Sequence, residues 1–300
     1  MKVLVTGGTG FVGSNLVGLL ISRGHKVTIV SRTPNRVRNA RSGIKVAAWP
    51  PDLSGIDAVV HLAGSNLVGK RWSSAYKDEL RSSRIDTTQQ LVQQFAKADP
   101  KPPVFVCGSA IGYYGSRPGE QLDEASTQGD DFLAKLCGDW EAVAQQASGT
   151  RVVRIRTGVV LGPDGGALAK MITPFRLGVG GPLASGRQMF SWIHQYDLAQ
   201  MILWAIENDE VDGILNGTGP NPVTAKQLAK TLGRILHRPS FMPAPKWALR
   251  IVLGEVVEAL AADQHVLPKR ALERGFTFKY TELEGALREL LQRYLINEQV

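Results

Sequence analysis

The feature that most constrains the fold is a glycine-rich turn between an apolar segment and an apolar helical pattern near the N-terminus. Lys2–Thr6 has the composition of a buried β-strand, and three glycines follow at Gly7, Gly10 and Gly13. The apolar residues that begin at Phe11 have the spacing of a helix. A strand, a glycine turn and a helix in this order predict a dinucleotide-binding fingerprint.

Each glycine of this turn has a separate predicted role. Gly7 allows a tight turn, Gly10 lets the backbone approach a pyrophosphate, and Gly13 lets the helix pack close to the strand. The free N–H groups and the positive dipole end of the helix would then face the phosphates. The residues expected to contact the cofactor here are Gly7, Thr9, Gly10, Phe11, Val12 and Gly13.

The end of the second predicted strand, residues 25–31, indicates which dinucleotide is bound. NAD-binding proteins usually place Asp or Glu there, because a carboxylate bonds the ribose 2′-hydroxyl. This chain has Ser31 and Arg32 instead, with Arg36 and Arg38 shortly after. A guanidinium can pair with a 2′-phosphate, so we predict that the cofactor is NADP(H). The alternative is that Arg32 is an exposed, solvated side chain.

The first half of the chain alternates between strand and helix patterns. Further strands are predicted at residues 44–49, 58–63, 104–109 and 151–161, and helices at 73–98 and 130–147. This alternation predicts an α/β fold, a Rossmann-like doubly wound parallel sheet with helices on both faces.

The pattern changes after Gly162, where the chain becomes rich in Gly and Pro and then mostly helical. We therefore expect an NADP-binding domain at residues 1–165, to which residues 191–220 return. Residues 166–190 and 221–300 would form a smaller, mostly helical C-terminal part that caps the substrate.

The charge distribution and hydropathy of the chain limit the kinds of partner that it is expected to bind. The formal net charge is +8, but Lys and Arg are spread along the chain without a basic run or a nucleic-acid module. A phosphate-rich cofactor and substrate explain a positive balance equally well, so we predict no nucleic-acid partner. No apolar run reaches the length needed to cross a bilayer, so no membrane partner is predicted.

Cysteine and histidine usage indicates neither disulfides nor metal. Cys107 and Cys137, the two cysteines, lie in apolar patterns and are interpreted as buried thiols of a reducing compartment. The five histidines show no metal-ligand spacing, so no metal site is predicted. No secretory signal is recognisable, and we expect a cytoplasmic location.

Several segments resemble the extended short-chain dehydrogenases/reductases of the sugar-nucleotide epimerase type. They are the glycine turn at residues 6–13, His-Leu-Ala-Gly at 61–64, Gly-Ser-Ala at 108–110 with Tyr-Gly at 114–115, and residues 187–197. More narrowly, the chain is similar to an epimerase-like subfamily that includes YfcH-type proteins and human short-chain dehydrogenase family 39U. The segments that carry this match are residues 70–72, 112–115, 156–161, 174–182 and 192–194.

The resemblance implies an NADP(H)-binding domain, a small-molecule substrate such as a nucleotide sugar, and a homodimer paired through the two long predicted helices. At the end of the fourth strand, Leu62, Ala63 and Gly64 would let the ribose and diphosphate lie over the sheet. His61 is interpreted as a core or supporting residue rather than a base.

The resemblance also implies a catalytic Ser, Tyr and Lys. Ser109 matches the hydroxyl that steadies a substrate oxygen, and Lys135 matches the lysine that binds the nicotinamide ribose and activates the tyrosine. That tyrosine should lie four residues before the lysine, where this chain has Asp131. Either Tyr113 supplies the phenol, or Asp131 is a different base, or the site binds cofactor without turnover. Tyr113 and Tyr114 could equally be ordinary aromatic packing.

On the substrate side, Arg176, Arg187 and the glycine loop at 178–186 match the region where extended members hold a diphosphate. Guanidinium groups beside a glycine loop can form an anion clamp, although glycine turns also occur without ligands. Arg154 and Arg156 point to one face of their strand.

Three further residues are expected to line the same cleft, because an indole offers a stacking face and an arginine a charge: Arg71, Trp72 and Arg84. A buried tryptophan beside a surface arginine is the alternative.

Two functional hypotheses result from these residues. The first is an NADP(H)-dependent enzyme that transfers a hydride between the nicotinamide and an unknown carbonyl or hydroxyl compound. The second, motivated by Asp131, is an NADP(H)-binding sensor or scaffold protein with a degenerate active site.

Overall fold

The computed structural model describes residues 1–37 and 44–296 of the chain. The strands within them are β1 (Lys2–Thr6), β2 (Lys26–Ser31), β3 (Ile44–Ala48), β4 (Ala58–His61), β5 (Val104–Ala110), β6 (Gln121–Leu122), β7 (Arg151–Thr157), β8 (Val159–Gly162), β9 (Met189–Phe190), β10 (Trp192–His194), β11 (Gly213–Gly217), β12 (Val223–Thr224) and β13 (His265–Val266). The helices are α1 (Phe11–Ser22), α2 (Ser74–Ser82), α3 (Ile85–Lys97), α4 (Phe132–Ala144), α5 (Gly166–Arg176), α6 (Gln195–Glu207), α7 (Ala225–Ile235), α8 (Lys246–Leu253), α9 (Val256–Leu260), α10 (Lys269–Glu273) and α11 (Leu283–Ile296).

The main sheet has seven strands in the order β11-β7-β5-β4-β1-β2-β3. Every neighbouring pair is parallel. The chain order reverses between β1 and β4, which is the switch point of a doubly wound sheet. The predicted α/β fold is therefore confirmed, and the fold places a ligand crevice beyond the carboxyl ends of β1 and β4.

Helices cover both faces of this sheet, and the alternation of side chains along β5 decides what each face buries. Val104 and Val106 belong to the core under α1 and α6, whereas Phe105 and Cys107 belong to the core under α3 and α4. The same alternation places Ser109, two residues after Cys107, on the α4 side of the sheet.

The part of the chain after β8 divides between this domain and a second core. β11 pairs with β7 at the edge of the main sheet, and α6 packs under it beside α1. A separate apolar core is formed mainly by α5, α7 and α11, with Phe175, Leu232 and Leu287 among its buried residues. Among the described residues, no helix is long and apolar enough to cross a membrane.

The single helix predicted over residues 73–98 is wrong, because the chain leaves the helix at Ser83 and Arg84 between α2 and α3. The Ser83 hydroxyl and the Arg84 guanidinium both donate to the carbonyl oxygen of Leu80, at 3.1 and 3.2 Å. Side chains that bond the backbone in this way compete with the helical ladder. The break points the Arg84 side chain back towards the sheet.

The single strand predicted over residues 151–161 is also wrong, because it divides at Gly158 into β7 and β8. β8 leaves the main sheet and pairs with β10. A Cβ at Gly158 would lie 2.5 Å from the carbonyl oxygen of Ser191, so only glycine allows the segment before β10 to approach this closely.

Candidate dinucleotide site and adjoining cavities

The glycine turn after β1 has the geometry that a bound pyrophosphate requires. Gly7 has a φ of +70°, and a Cβ at Gly13 would lie 2.1 Å from the Gly7 carbonyl oxygen. Gly10 caps α1 without a side-chain hydrogen bond, and the first turn of the helix contains no acidic residue. The first N–H groups of α1 therefore stay available to an anion.

The end of β2 carries no carboxylate. Ser31 is half-buried and its Oγ accepts a hydrogen bond of 3.1 Å from the N–H of Thr33, while Arg32 is exposed. The positive charge of Arg32 contributes to lowering the pKa of Glu79, after hydrogen bonds from Lys70 and Ser65. The side chain of Arg36 and all of Arg38 lie outside the described residues.

The end of β4 is fixed to β1 by a buried histidine. His61 Nδ1 lies 2.6 Å from the hydroxyl of Thr6, which also accepts a hydrogen bond from the N–H of Ala63. Burial, assisted by the charge on Arg84, lowers the pKa of His61 to about 4, so the ring is neutral at physiological pH. Its role in this structure is to hold the turn formed by residues 62–64.

Arg84 lies directly beneath that turn. Its guanidinium donates to the carbonyl oxygens of Leu80 and Ser65, and its Cζ would lie 3.1 Å from a Cβ at Gly64. No carboxylate of the described residues pairs with it, since its hydrogen-bond acceptors are all neutral. Burial lowers the pKa of Arg84. Arg84 is thus a cation of the crevice that has no carboxylate partner among the described residues.

A cavity of about 430 Å³ opens from this crevice along the carboxyl ends of the strands. Its walls include Val12 at the start of α1, Leu62 after β4, and residues 108–112 at the end of β5. Val256 and Leu260 of α9 close it from the C-terminal part of the chain. The volume is in the usual range for a small-molecule site.

The side of α4 that faces this cavity carries no tyrosine or lysine. The lining residues from α4 are Leu133, Leu136, Cys137 and Trp140. Leu133 and Cys137 have the four-residue spacing that the tyrosine–lysine pair has in the resembling family. Burial raises the pKa of Cys137 to about 12, so the thiol is uncharged at neutral pH.

The predicted roles of Lys135 and Asp131 do not agree with this helix phase. Lys135 is exposed and outside the lining of the cavity, because a helix turns away from a given face within two residues. Asp131 is the N-cap of α4, where its Oδ1 accepts a hydrogen bond of 2.8 Å from the N–H of Ala134. Its carboxylate borders a second cavity.

Ser109 lines the first cavity, but its proton is directed into the protein. Its hydroxyl donates a hydrogen bond of 2.7 Å to Oε1 of Glu141. The Glu141 carboxylate is held by Nε and Nη2 of Arg156 at 2.8 and 2.9 Å. All three residues are buried. The carboxylate outweighs the effect of burial and raises the pKa of Arg156.

The same arginine explains both tyrosines. The Arg156 guanidinium lies 3.3 Å from the ring centroid of Tyr113 and donates a hydrogen bond of 3.0 Å to the hydroxyl of Tyr114. The Tyr114 hydroxyl donates in turn to Asn216, and burial raises its pKa to about 12. Tyr113 packs against this network and is not part of the cavity wall, so the structure does not place its phenol at a ligand.

The arginines expected at the substrate have different surroundings. Arg71 donates to the carbonyl oxygen of Ile251 at 2.9 Å and so ties α8 to the main domain. Arg176 and Arg187 are exposed and line neither cavity. The expected anion clamp is therefore not assembled at the cavities.

A second cavity, of about 290 Å³, adjoins the first and opens towards α8 and α9. Trp72 and Phe132 form an aromatic wall, with their ring centroids 5.4 Å apart and at a steep angle. Four residues line both cavities: Gly112, Leu133, Ala259 and Gln264. The two cavities therefore meet between α4 and the C-terminal part of the chain.

Two residues that the structure brings to the site, Glu141 and Gln264, escaped the sequence analysis. Glu141 lies four residues after Cys137 on the apolar face of α4, and an acidic residue at such a position indicates a buried partner. No pattern marks Gln264, which reaches the site because the segment before β13 lies against the turn that follows β5.

A doubly wound parallel sheet with this glycine turn at its switch point defines a Rossmann-type dinucleotide-binding protein. Residues 3–216 match the model of the NAD dependent epimerase/dehydratase family, and residues 244–290 match a domain of unknown function, DUF1731. The chain belongs to the NAD dependent epimerase/dehydratase family.

Its similarity to individual proteins extends over nearly the whole chain. It is 43% identical to "Epimerase family protein SDR39U1 homolog, chloroplastic" of Arabidopsis thaliana, over 97% of this chain and 87% of the relative. It is 41% identical to the human epimerase family protein SDR39U1, over 97% and 100%. The crystal structure of human SDR39U1 (isoform 2) with NADPH superposes with a TM-score of 0.91 and 40% identity, covering 97% and 99% of the two chains.

Proposed function

We propose that this protein is an NADP(H)-dependent oxidoreductase or epimerase that acts on a small carbonyl or hydroxyl compound. The observation that carries the proposal is the open glycine cradle before α1, combined with an arginine and no carboxylate at the end of β2. The similar human protein whose structure contains NADPH supports the same cofactor.

The chain offers a contact for each part of such a cofactor. The turn at residues 7–13 would hold the pyrophosphate, and Ser31 with Arg32 would hold the 2′-phosphate. Residues 62–64 would lie against the nicotinamide ribose. Arg84 would supply, from beneath this turn, the positive charge that a lysine supplies in the resembling family. When bound, the nicotinamide provides hydride transfer to or from a substrate carbon.

The protein itself would position the substrate and keep water away. The cavity wall beyond the crevice is mostly apolar, with Leu62, Leu133 and Leu136 on one side and Val256 and Leu260 on the other. A wall of this kind excludes water from a reactive nicotinamide. Ser109 would fix the orientation of a ligand through the lone pair that its bond to Glu141 leaves free.

A second candidate function is cofactor binding without turnover, as in a sensor or scaffold protein. It is favoured by Leu133 and Cys137, which leave the cavity face of α4 without a side chain that exchanges a proton near neutral pH. Under this alternative the NADP(H) contacts are retained, while no substrate is converted.

A calorimetric titration with NADPH and with NADH tests the first step. Tight NADPH binding and much weaker NADH binding support the proposal, and failure to bind either dinucleotide rejects it. Turnover is then followed by NADPH absorbance with a panel of carbonyl compounds, and by product analysis with sugar nucleotides. Cofactor binding without turnover across the panel selects the second candidate.

Three further expectations remain proposals. Residues 166–190 and 221–300 would cap the substrate site, with α9 as the element nearest the ligand. A homodimer would pair through α2, α3 and α4. A cytoplasmic location is also still a prediction, and one relative is described as chloroplastic.

A further inference from the structure

Gln264 stands where the two cavities meet, and its amide has one fixed orientation. Its Nε2 donates two hydrogen bonds of 2.9 Å, to the carbonyl oxygens of Ile111 and Gly115. Both partners can only accept, so the amide cannot be turned over. The residue is only 8% exposed, yet its Oε1 keeps some accessible surface and accepts no hydrogen bond from the described residues. The Oε1 atom of Gln264 is therefore a free hydrogen-bond acceptor at the junction of the two cavities.

The hydroxyl and indole donors of the two walls are also committed within the protein. Ser109 donates to Glu141, and Thr157 donates to the carbonyl oxygen of Ile155. The indole N–H of Trp72 donates to the carbonyl oxygen of Leu67, and that of Trp140 donates to the hydroxyl of Thr88. Neither indole N–H is therefore left for a ligand. At the junction and in the second cavity, the neutral polar side-chain atoms that the described lining offers are therefore acceptors, which a ligand can satisfy only by donating.

The cations around the second cavity are already neutralised. Arg250 pairs with Glu258 at 3.5 Å, and Lys77 pairs with Glu255. Asp131 adds a further carboxylate to the same wall. A diphosphate placed here would meet carboxylates and no unpaired cation of the described lining, whereas uncharged hydroxyls could donate to them. Arg84 lies on the cofactor side of the first cavity and is not part of this wall.

From this arrangement, which rests on the proposed function, we infer that the substrate is an uncharged alcohol and not a nucleotide diphosphate. Gln264 determines this specificity by accepting a hydrogen bond from a substrate hydroxyl. The aromatic wall of Trp72 and Phe132 receives the apolar side of the same molecule.

The test uses the full chain, and its binding of NADPH is measured first. A failure to bind NADPH counts against the proposed function alone, so the substrate is tested on protein that is saturated with NADPH. The loaded protein is then titrated with three uncharged alcohols, phenyl β-D-glucopyranoside, benzyl alcohol and myo-inositol, and with UDP-glucose. We expect at least one alcohol to bind about tenfold more tightly than UDP-glucose, because one well-placed hydrogen bond changes affinity by about this factor.

The role of Gln264 is tested with Gln264→Leu, for which Gln188→Leu is the matched control. Gln188 is a second buried glutamine whose Nε2 also donates to a main-chain carbonyl oxygen, but it lines neither cavity. We expect Gln264→Leu to weaken the alcohol about tenfold and to leave NADPH affinity unchanged, whereas Gln188→Leu changes neither.

If Gln264→Leu does not fold, the hydrogen bond is tested instead with the unaltered protein and fluorinated analogues of the alcohol that binds most tightly. Each analogue exchanges one hydroxyl for a fluorine of similar size that cannot donate. At least one is expected to lose about tenfold in affinity for the unaltered protein. The inference is overturned if UDP-glucose binds most tightly, if no alcohol binds the NADPH-loaded protein, or if every fluorinated analogue binds like its parent.

Discussion

The hydroxyl of Ser109 donates a hydrogen bond of 2.7 Å to Oε1 of Glu141, a residue on the buried face of α4. Because a hydroxyl has a single proton, Ser109 can accept from a ligand but cannot donate to it while this bond is intact. The family resemblance implies that Ser109 steadies a substrate oxygen, and this bond prevents it from doing so by donation. The difference arises from Arg156, whose Nε and Nη2 hold the Glu141 side chain where its Oε1 can accept from Ser109.

Replacing Glu141 with glutamine should destabilise the protein strongly. The substitution leaves Arg156 buried without its carboxylate, and breaking one side of a buried ion pair costs about 3–5 kcal/mol. The free energy of unfolding in urea measures this cost. As a control, Asp139→Asn on the exposed face of the same helix removes the pair with Arg81 and should cost below about 1 kcal/mol. Equal costs for the two variants would contradict the structure.

The fold could be predicted from the sequence because the strands of the main sheet in the first half of the chain are marked by local patterns. The four buried residues of β4 and the glycine turn before α1 need no distant partner to be recognised. The two errors, at residues 83–84 and at Gly158, each involve a contact with a distant segment, which at residues 83–84 adds to the local bonds with Leu80. Ser65 and Ser191 are those partners, and nothing in the local pattern indicates them.

The candidate site was less predictable, because its chemistry depends on helix phase and on long-range pairs. The match of Lys135 to a family lysine rests on spacing along the chain, whereas packing decides that Leu133 and Cys137 face the cavity. The pairing of Glu141 with Arg156 joins α4 to β7, which are far apart in the sequence. Such pairs are visible only once the topology is known.

Replacing Gly10 with valine should abolish binding of both NADPH and NADH. The Cβ of residue 10 would lie 3.2 Å from the Gly7 carbonyl oxygen, and the branched side chain would extend over the N-terminus of α1, where the pyrophosphate is proposed to bind. Calorimetric titration measures the loss. Gly285→Ala serves as the control because no atom lies within 4 Å of the added carbon, and it should bind normally. Unchanged affinity in Gly10→Val would refute the cradle.

Replacing Arg32 with aspartate should weaken NADPH relative to NADH. The substitution removes the proposed partner of the 2′-phosphate and supplies the carboxylate that bonds a 2′-hydroxyl in NAD-binding proteins. Loss of a charge-assisted pair predicts a change in the affinity ratio of about tenfold or more. Arg23→Asp, an equal change of charge at the C-terminal end of α1, should leave the ratio unchanged. An unaltered ratio in Arg32→Asp would mean that Arg32 is only a solvated side chain.

The stability of the protein should fall as the pH is lowered from 6.5 towards 4, and His61 should cause a defined part of this fall. Burial and the nearby charge of Arg84 lower the pKa of His61 from 6.5 to about 4. Between these values the unfolded chain binds a proton that the native protein does not bind, so acid favours unfolding. Above pH 6.5 both states are neutral at this residue, and its full contribution to stability is present.

Between pH 6.5 and pH 5, this difference in proton binding lowers the free energy of unfolding by about 1.6 kcal/mol. Urea unfolding at both pH values measures it in the wild-type protein and in His61→Phe, which cannot take up the proton. The loss of stability on acidification should be about 1.6 kcal/mol smaller in His61→Phe than in the wild type. The exposed His237, replaced by asparagine to suit its φ of +51°, is the control and should keep the wild-type difference. If His61→Phe loses as much stability on acidification as the wild type, His61 is protonated in the native protein and the Thr6–His61 contact must be reinterpreted.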